Sequence, residues 1–249
     1  MDPNRFADLT FEGFRELARD ESLSPHEKVG FPDSYRAGKE EAILRDLRSK
    51  LSHLESTGRR VLDVGPGCGS LALALLAWCG ERGHPLTLID SVEMLALLPE
   101  APGVIKRPGR FPDEHEAFRA AGRGRFDAIL VYSVVQYVFR EGDLFAFFDA
   151  CLELLAEGGE LLIGDIPNQS MRMRFFRSAR GIRFHQEYTG SGGLPPASLT
   201  TLDPACLDDA TVLALVQRAR AAGFDAFLLP QPVDLPMSNR REDLLVRRP

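Results

Sequence analysis

Cysteine is scarce and scattered: Cys68, Cys79, Cys151 and Cys206, with no C-x-x-C pair. That excludes a disulfide-stapled scaffold and a cysteine zinc site. The histidines lack metal-ligand spacing, so no metal site is expected. Long apolar runs are missing too. The longest, LALALLAWC at 71–79, falls far short of the ~18–20 residues needed to cross a bilayer. The opening MDPNRFADLTFEGF is acidic and amphipathic and does not read as a secretory signal. Reduced thiols, a cytoplasmic location and no membrane partner are therefore expected. Nor is there a surplus of positive charge. A net charge of −6 argues against DNA as a partner, because neutralising phosphates needs a basic surface. One stretch departs from this, RMRFFRSARGIR at 172–183, which reads first as a solvated arginine-rich helix or loop.

What is present points to one α/β domain with an appendage. Residues 1–55 are charged and helical in pattern: LTFEGFRELARD puts Leu9, Phe11, Phe14 and Leu17 on one face behind Thr10 as N-cap, and KEEAILRDLRSKLSHLE puts Ile43, Leu44, Leu47 and Leu51 on one face. We read 1–55 as a helical cap and 56–249 as the main domain. In the latter, RRVLDVG, PLTLID, GVIKRPG, FDAILVYS and ELLIGDI are strand-like runs separated by helical patterns. Such alternation predicts stacked βαβ units and a mostly parallel sheet covered on both faces, a three-layer sandwich. The helix before the fifth strand, GDLFAFFDACLELLAEGG, is expected to stop at its glycine pair. The final strands, DAFLLPQPV and EDLLVRR, have no helix between them and must form an antiparallel hairpin. Residues 167–206 are too long for a plain connection and read as a substrate insertion.

The most informative stretch is VLDVGPGCGS at 61–70. Three alternating glycines between a strand and a helix lie at the carboxyl edge of the sheet, where open α/β folds bind ligands. Glycine there permits positive φ and removes the Cβ that would hold a ligand away. A dinucleotide fingerprint needs G-x-G-x-x-G, but Ser70 occupies the third glycine's place and Pro66 lies inside the loop. The observed order is apolar–apolar–acid–apolar–G-x-G-x-G.

That order resembles the first motif of class I S-adenosylmethionine-dependent methyltransferases, a seven-stranded Rossmann-like family. LTLID ending in Asp90, FDAILVYSVVQYV, LLAEGGELLIGDI and the terminal hairpin resemble the family's later motifs in order, over about residues 59–249. The resemblance implies a methyltransferase with S-adenosyl-L-methionine as cofactor. It implies that Gly65, Pro66, Gly67 and Gly69 let the donor approach the backbone, that Asp63 organises its ammonium, and that Asp90, followed by Ser91, holds its ribose. Gly109, Arg110 and Phe111 would cover the adenine, although the family's usual acid there is absent. Tyr132 and Ser133 would face the donor and the transferred methyl.

On the acceptor side, YSVVQY replaces the Asn/Asp-Pro-Pro-aromatic run that the family's amine methylases of DNA bases commonly carry, and no cysteine follows a proline as a cytosine C5 enzyme requires. The candidates for catalysis are Asp165, His185 and Tyr132. Asp165 follows the fifth strand and His185 has a pKa near neutrality. Tyr35, Arg36, Tyr137, Asn168 and Arg172 are the candidates for substrate binding. Arginines among Phe175, Phe176 and Tyr188 suit an anionic acceptor. FPDSYR and GDIPN are similar to stretches of bacterial methyltransferases near surface-glycan genes, which implies a small-molecule acceptor such as an oxygen of a sugar or nucleotide-sugar. The alternatives are an RNA or protein methyltransferase, a non-catalytic protein that binds S-adenosylmethionine, and a nicotinamide oxidoreductase.

Overall fold

The computed structural model describes residues 9–31 and 38–249. Seven strands form one sheet: β1 (Val61–Val64), β2 (Leu86–Asp90), β3 (Val104–Pro108), β4 (Phe126–Tyr132), β5 (Leu155–Pro167), β6 (Asp225–Pro230) and β7 (Arg241–Arg247). Their spatial order is β3-β2-β1-β4-β5-β7-β6. The first five pair in parallel, while β7 runs antiparallel between β5 and β6. The expected terminal hairpin is present, and its second strand, β7, lies between β6 and β5. That order departs from the 3-2-1-4-5-6 arrangement of dinucleotide folds.

The helices are α1 (Phe11–Arg19), α2 (Pro25–Lys28), α3 (Glu40–Lys50), α4 (Ser70–Arg82), α5 (Val92–Ala96), α6 (Glu116–Ala121), α7 (Val135–Glu141), α8 (Leu144–Leu154), α9 (Gln169–Arg177), α10 (Ala179–Thr189), α11 (Ala197–Thr200) and α12 (Asp209–Ala221). Strand alternation divides the core. Leu62, Val64, Ile129 and Val131 face α8 and α12 through Phe147, Phe148, Val212 and Leu215. Val61, Ala128, Leu130 and Tyr132 face α3 and α4 through Leu47, Leu51, Leu75 and Cys79. This period-2 split buries both faces of the sheet, as parallel strands require. Residues 40–55 thus pack in the sheet's own core. Only α1 and α2 form separate small clusters, Leu9 with Leu17 and Leu23, and Ala18 with Cys68 and Met94.

Several local signals act as the sequence suggests. The Thr10 side chain accepts from Gly13 N, and Gly83 closes α4 in the left-handed region. Two expectations need correction. The glycine pair does not stop α8: the helix ends at Leu154, and β5 begins at Leu155 and runs through Gly158 and Gly159. Pairing of this early segment with Phe126, before a register shift, extends the strand. Residues 167–206 are not an open loop either. They hold α9, α10 and α11, with α9 and α10 joined at Ser178, whose hydroxyl caps α10. The proposed substrate residues Tyr35 and Arg36 lie outside the described residues. Among the described residues no helix is long and apolar enough to cross a membrane.

Candidate active site

The topology brings the ends of β1, β2, β3 and β4 to one edge, where the strand order reverses between β1 and β4. A cavity opens there. Its wall includes Asp63, Gly65, Pro66, Gly67, Gly69, Asp90, Gly109, Arg110, Phe111, Tyr132 and Ser133, with Tyr137 from α7. Eleven of the twelve residues marked in sequence for the cofactor therefore line one space. The twelfth, Ser91, is buried beside it as the N-cap of α5.

The loop between β1 and α4 is tightly fitted. Gly65 and Gly67 have φ of 75° and 62°, a region that costs other L-residues roughly 1–2 kcal/mol. A Cβ would also fall 2.5 Å from a Val134 methyl at Gly65 and 2.5 Å from a Val29 methyl at Gly67. The missing side chains thus make room for α7 and for the residue that ends α2, besides baring the backbone. Gly69 has an extended backbone and is the N-cap of α4 without any side-chain cap. Asp90 holds the loop from β2. Its Oδ2 accepts from Gly67 N at 2.8 Å and its Oδ1 from Ser91 N at 2.7 Å. The Asp90 carbonyl accepts from Gly109 N at 2.9 Å, tying in the β3 loop.

Asp63 differs from Asp90. It is buried at 4% exposure, faces the cavity, and has no donor for its carboxylate among the described residues. Burial, reinforced by the nearby Asp90 charge, pushes its pKa up to about 8, while burial raises Asp90 to about 6 against its two backbone donors.

The N-terminal helices roof the cavity with Phe11, Phe14, His26, Val29 and Phe31, and α3 adds Glu40 and Ile43. Sequence periodicity marked the apolar face of α1 but not what it covers. Arg15 fixes α1 to α5 through two bonds to Glu93, of 2.9 and 3.0 Å, joined by Arg19. Arg15 is the main cause holding the Glu93 carboxyl down to about 2. At the other end, Glu141 of α7 accepts from Phe11 N at 3.0 Å and faces Arg110 at 3.7 Å. His26 and Glu40 form a pair at 2.7 Å in the wall. Tyr137 meets Phe14 edge-on at 4.8 Å.

The acceptor-side candidates are less gathered. Asp165 is buried behind the wall and is linked to the cavity by a hydrogen bond from the Ser133 hydroxyl. Both residues have positive φ, 59° for Ser133 and 60° for Asp165, at the ends of neighbouring strands. A register irregularity in β5 between Ile163 and Ile166 turns Asp165 toward Ser133, as bulges beside active sites do. Arg241 of β7 donates to Asp165 Oδ2 at 2.6 Å, and Asp165 N donates to Asp243 at 2.8 Å.

Asn168, Arg172 and His185 do not line the cavity. The Asn168 side chain caps α9 by accepting from Met171 N and donates to Asp209 and Glu242. Arg172 donates to the Ser198 carbonyl. His185 sits half-buried on α10 against Phe176. Arg174, of the same basic stretch, is bound to Asp209.

Comparison with known proteins adds to this geometry. A family model described as a methyltransferase domain matches residues 35–194, more than half of the chain. The N-methyltransferase NodS from Bradyrhizobium japonicum, crystallised with S-adenosyl-L-homocysteine, shares the fold with a TM-score of 0.58, at 14% identity over 97% of this chain and 100% of that one. A SAM dependent methyltransferase from Archaeoglobus fulgidus shares it at 0.52, with 15% identity over 87% and 97%. Among curated proteins, a "Probable non-canonical nonribosomal peptide synthetase (NRPS) CymA" from Salinispora arenicola is 24% identical over 188 residues, 76% of this chain. The matched stretch is 2% of that protein's own length.

Proposed function

The chain belongs to the class I S-adenosylmethionine-dependent methyltransferases, and from that premise we propose that its acceptor is a small molecule taken under the α1–α2 roof. The observation that carries this reading is the roof itself. Phe11, Phe14, Val29 and Phe31 close the cavity from above, which suits a compact acceptor better than a nucleic-acid strand or a folded protein.

The wall fits the donor. The uncompensated Asp63 would meet its ammonium and Asp90 its ribose hydroxyls. Gly65, Pro66, Gly67 and Gly69 would let it lie against the backbone. Ser91 would hold the start of α5 beneath it, and Gly109, Arg110 and Phe111 would flank the adenine. Bound there, the donor supplies an electrophilic methyl on sulfur.

The protein's own work is then to orient the acceptor and keep water out. Tyr132, Ser133 and Tyr137 are the polar groups of the wall nearest the β4 end. The Ser133 hydroxyl donates to Asp165, which fixes its place in the wall beside the acceptor. Arg241 donates to the same Asp165 carboxylate, so Asp165 serves as a positioning residue and not as a base. His185, Asn168 and Arg172 drop out of the proposed machinery, since they do not line the cavity. The outer arginines no longer argue for an anionic acceptor, and Arg110 is already matched by Glu141.

An oxygen acceptor of sugar type remains the first reading. A nitrogen acceptor is the second, favoured by the N-methyltransferase NodS and by chemistry, because an amine needs only to be unprotonated. The test is transfer of radiolabel from S-adenosylmethionine into separated small-molecule, RNA and protein fractions of a cell extract. Label is expected in the small-molecule fraction and is expected to be lost with Ser133→Ala. Label entering RNA or protein instead would overturn the small-molecule reading.

A further inference from the structure

Transfer to a hydroxyl gains about 10²–10⁴-fold from a base, and Asp165 does not serve as one. The described wall holds four carboxylates, Glu40, Asp63, Asp90 and Glu141. Asp63 and Asp90 belong to the donor in the reading above. Glu141 accepts from Phe11 N and faces Arg110. Glu40 is bound to His26 at 2.7 Å. His26 is the one imidazole of the wall among the described residues, and imidazole is the side chain that takes and releases a proton near neutrality.

Local structure fixes this ring. Pro25 opens α2 behind Ser24, whose hydroxyl accepts from Glu27 N while the Glu27 side chain reaches back to Ser24 N, a capping box. The chain then folds back, Phe31 N donating to the His26 carbonyl at 3.0 Å. Lys28 ties the same helix to α1 by donating to the Ala18 carbonyl at 2.8 Å. Glu40 meets the ring from the first turn of α3, a helix packed in the sheet's core. The two side chains are only 16% and 19% exposed, so their contact is held largely out of water. An ionised carboxylate only accepts, so His26 Nε2 donates, and the neutral ring then carries its lone pair on Nδ1.

We propose that His26 is the general base for transfer to a hydroxyl, with Glu40 as the positioning residue that sets its tautomer and steadies its charge. This rests on the oxygen-acceptor reading above. The acceptor's O–H bond breaks and its proton passes to His26 Nδ1. The oxygen's electron pair forms the new bond to the methyl carbon, and the carbon–sulfur bond breaks with its pair left on sulfur. The positive charge lost from sulfur reappears on the imidazolium beside Glu40, and solvent takes the proton after the product leaves. The other charged groups that share the cavity come from β1 (Asp63), β2 (Asp90), the loop after β3 (Arg110) and α7 (Glu141). On its own helix stand Glu27, turned to Ser24, and Lys28. From α1, Arg15 and Arg19 turn to Glu93 instead.

Wild type, His26→Gln and Glu40→Gln test it, with labelled S-adenosylmethionine at saturation and the small-molecule fraction of a cell extract as acceptor. The wild-type rate is expected to rise as imidazole loses its proton, over about pH 5 to 8. His26→Gln is expected to transfer at least about a hundredfold more slowly and to lose that rise. Glu40→Gln keeps the base, so a smaller loss is expected. Its rise should move to lower pH, because a neutral amide no longer favours the imidazolium. Thermal unfolding checks that each variant is folded, and calorimetry with S-adenosylmethionine is expected to give affinities within about threefold of wild type. A His26→Gln rate within about threefold of wild type overturns the assignment, as does an unshifted rise in Glu40→Gln. A folded His26→Gln that binds S-adenosylmethionine about tenfold more weakly or worse also overturns it, since the ring would then serve the donor. Wild-type protein that binds S-adenosylmethionine but labels no small molecule overturns the small-molecule reading and this inference with it.

Discussion

Replacing Asp90 by alanine is expected to weaken S-adenosylmethionine binding by about a hundredfold or more, a loss of roughly 3 kcal/mol. A carboxylate offers about four lone-pair sites. In this structure one oxygen accepts from Gly67 N and the other from Ser91 N, which leaves one site on each oxygen for a ribose hydroxyl. Hydrogen bonds to charged groups contribute about 1.5–3 kcal/mol each, so two lost contacts reach the expected magnitude. The substitution also frees the glycine loop, because Asp90 anchors Gly67 from the neighbouring strand. Asn at this position keeps one oxygen and is expected to fall between.

Stability responds less, and the sign follows from the pKa. Burial raises Asp90 from an ordinary carboxylate value to about 6, so the folded chain binds more protons than the unfolded one. The cost of this burial therefore grows as pH rises from about 4 to 6 and is constant above. Alanine relieves that cost and forfeits two backbone bonds, which oppose each other. Calorimetric titration of the variant is the measurement. An affinity unchanged within about threefold would remove Asp90 from the donor site.

Lys50→Met is expected to destabilise the protein by about 3–5 kcal/mol, the range for uncovering buried charge. The Lys50 ammonium lies between Asp46 and Asp243, 2.6 Å from each. Asp243 is fully buried and also accepts from Asp165 N and Gln231. Without the lysine, two buried carboxylates face each other with no cation between them. Burial already raises the Asp46 pKa despite Lys50, and the substitution would raise it further. Asp46 then takes up a proton as pH falls, so the loss should be larger at pH 8 than at pH 5. Denaturant unfolding at the two pH values measures it. Adding Asp46→Asn and Asp243→Asn should recover a large part of the loss. A change under about 1 kcal/mol at pH 8 would mean that the triad is far better hydrated than its burial indicates.

These two residues mark where sequence reading succeeds and where it stops. Asp90 was legible because its place is a matter of strand end and loop spacing, both local. The glycine loop, the five parallel strands and the final hairpin were legible for the same reason. Lys50 was not. In sequence it is one more lysine four residues after an aspartate, the signature of a surface pair. Only the arrival of β7 beside β5, with Asp243 on it, buries it. The roof shows the same limit: α1 announces an apolar face, but that the face covers the cavity depends on Arg15 reaching Glu93, seventy-eight residues away. Asn168, Arg172 and His185 were sound candidates by chemistry, but tertiary structure gives Asn168 and Arg172 other partners and leaves His185 on α10 outside the cavity. The glycine pair at 158–159 misled for a physical reason as well. Glycine is the commonest helix stop, yet here β5 starts earlier because Phe126 is available to pair with Leu155.

The most direct test of the whole account is calorimetric titration of wild-type protein with S-adenosylmethionine and, separately, with NAD⁺. Micromolar binding of the methyl donor at one site per chain and no heat from NAD⁺ are expected. Binding of NAD⁺ without the methyl donor, or of neither, would contradict it, and the glycine loop would then serve another ligand.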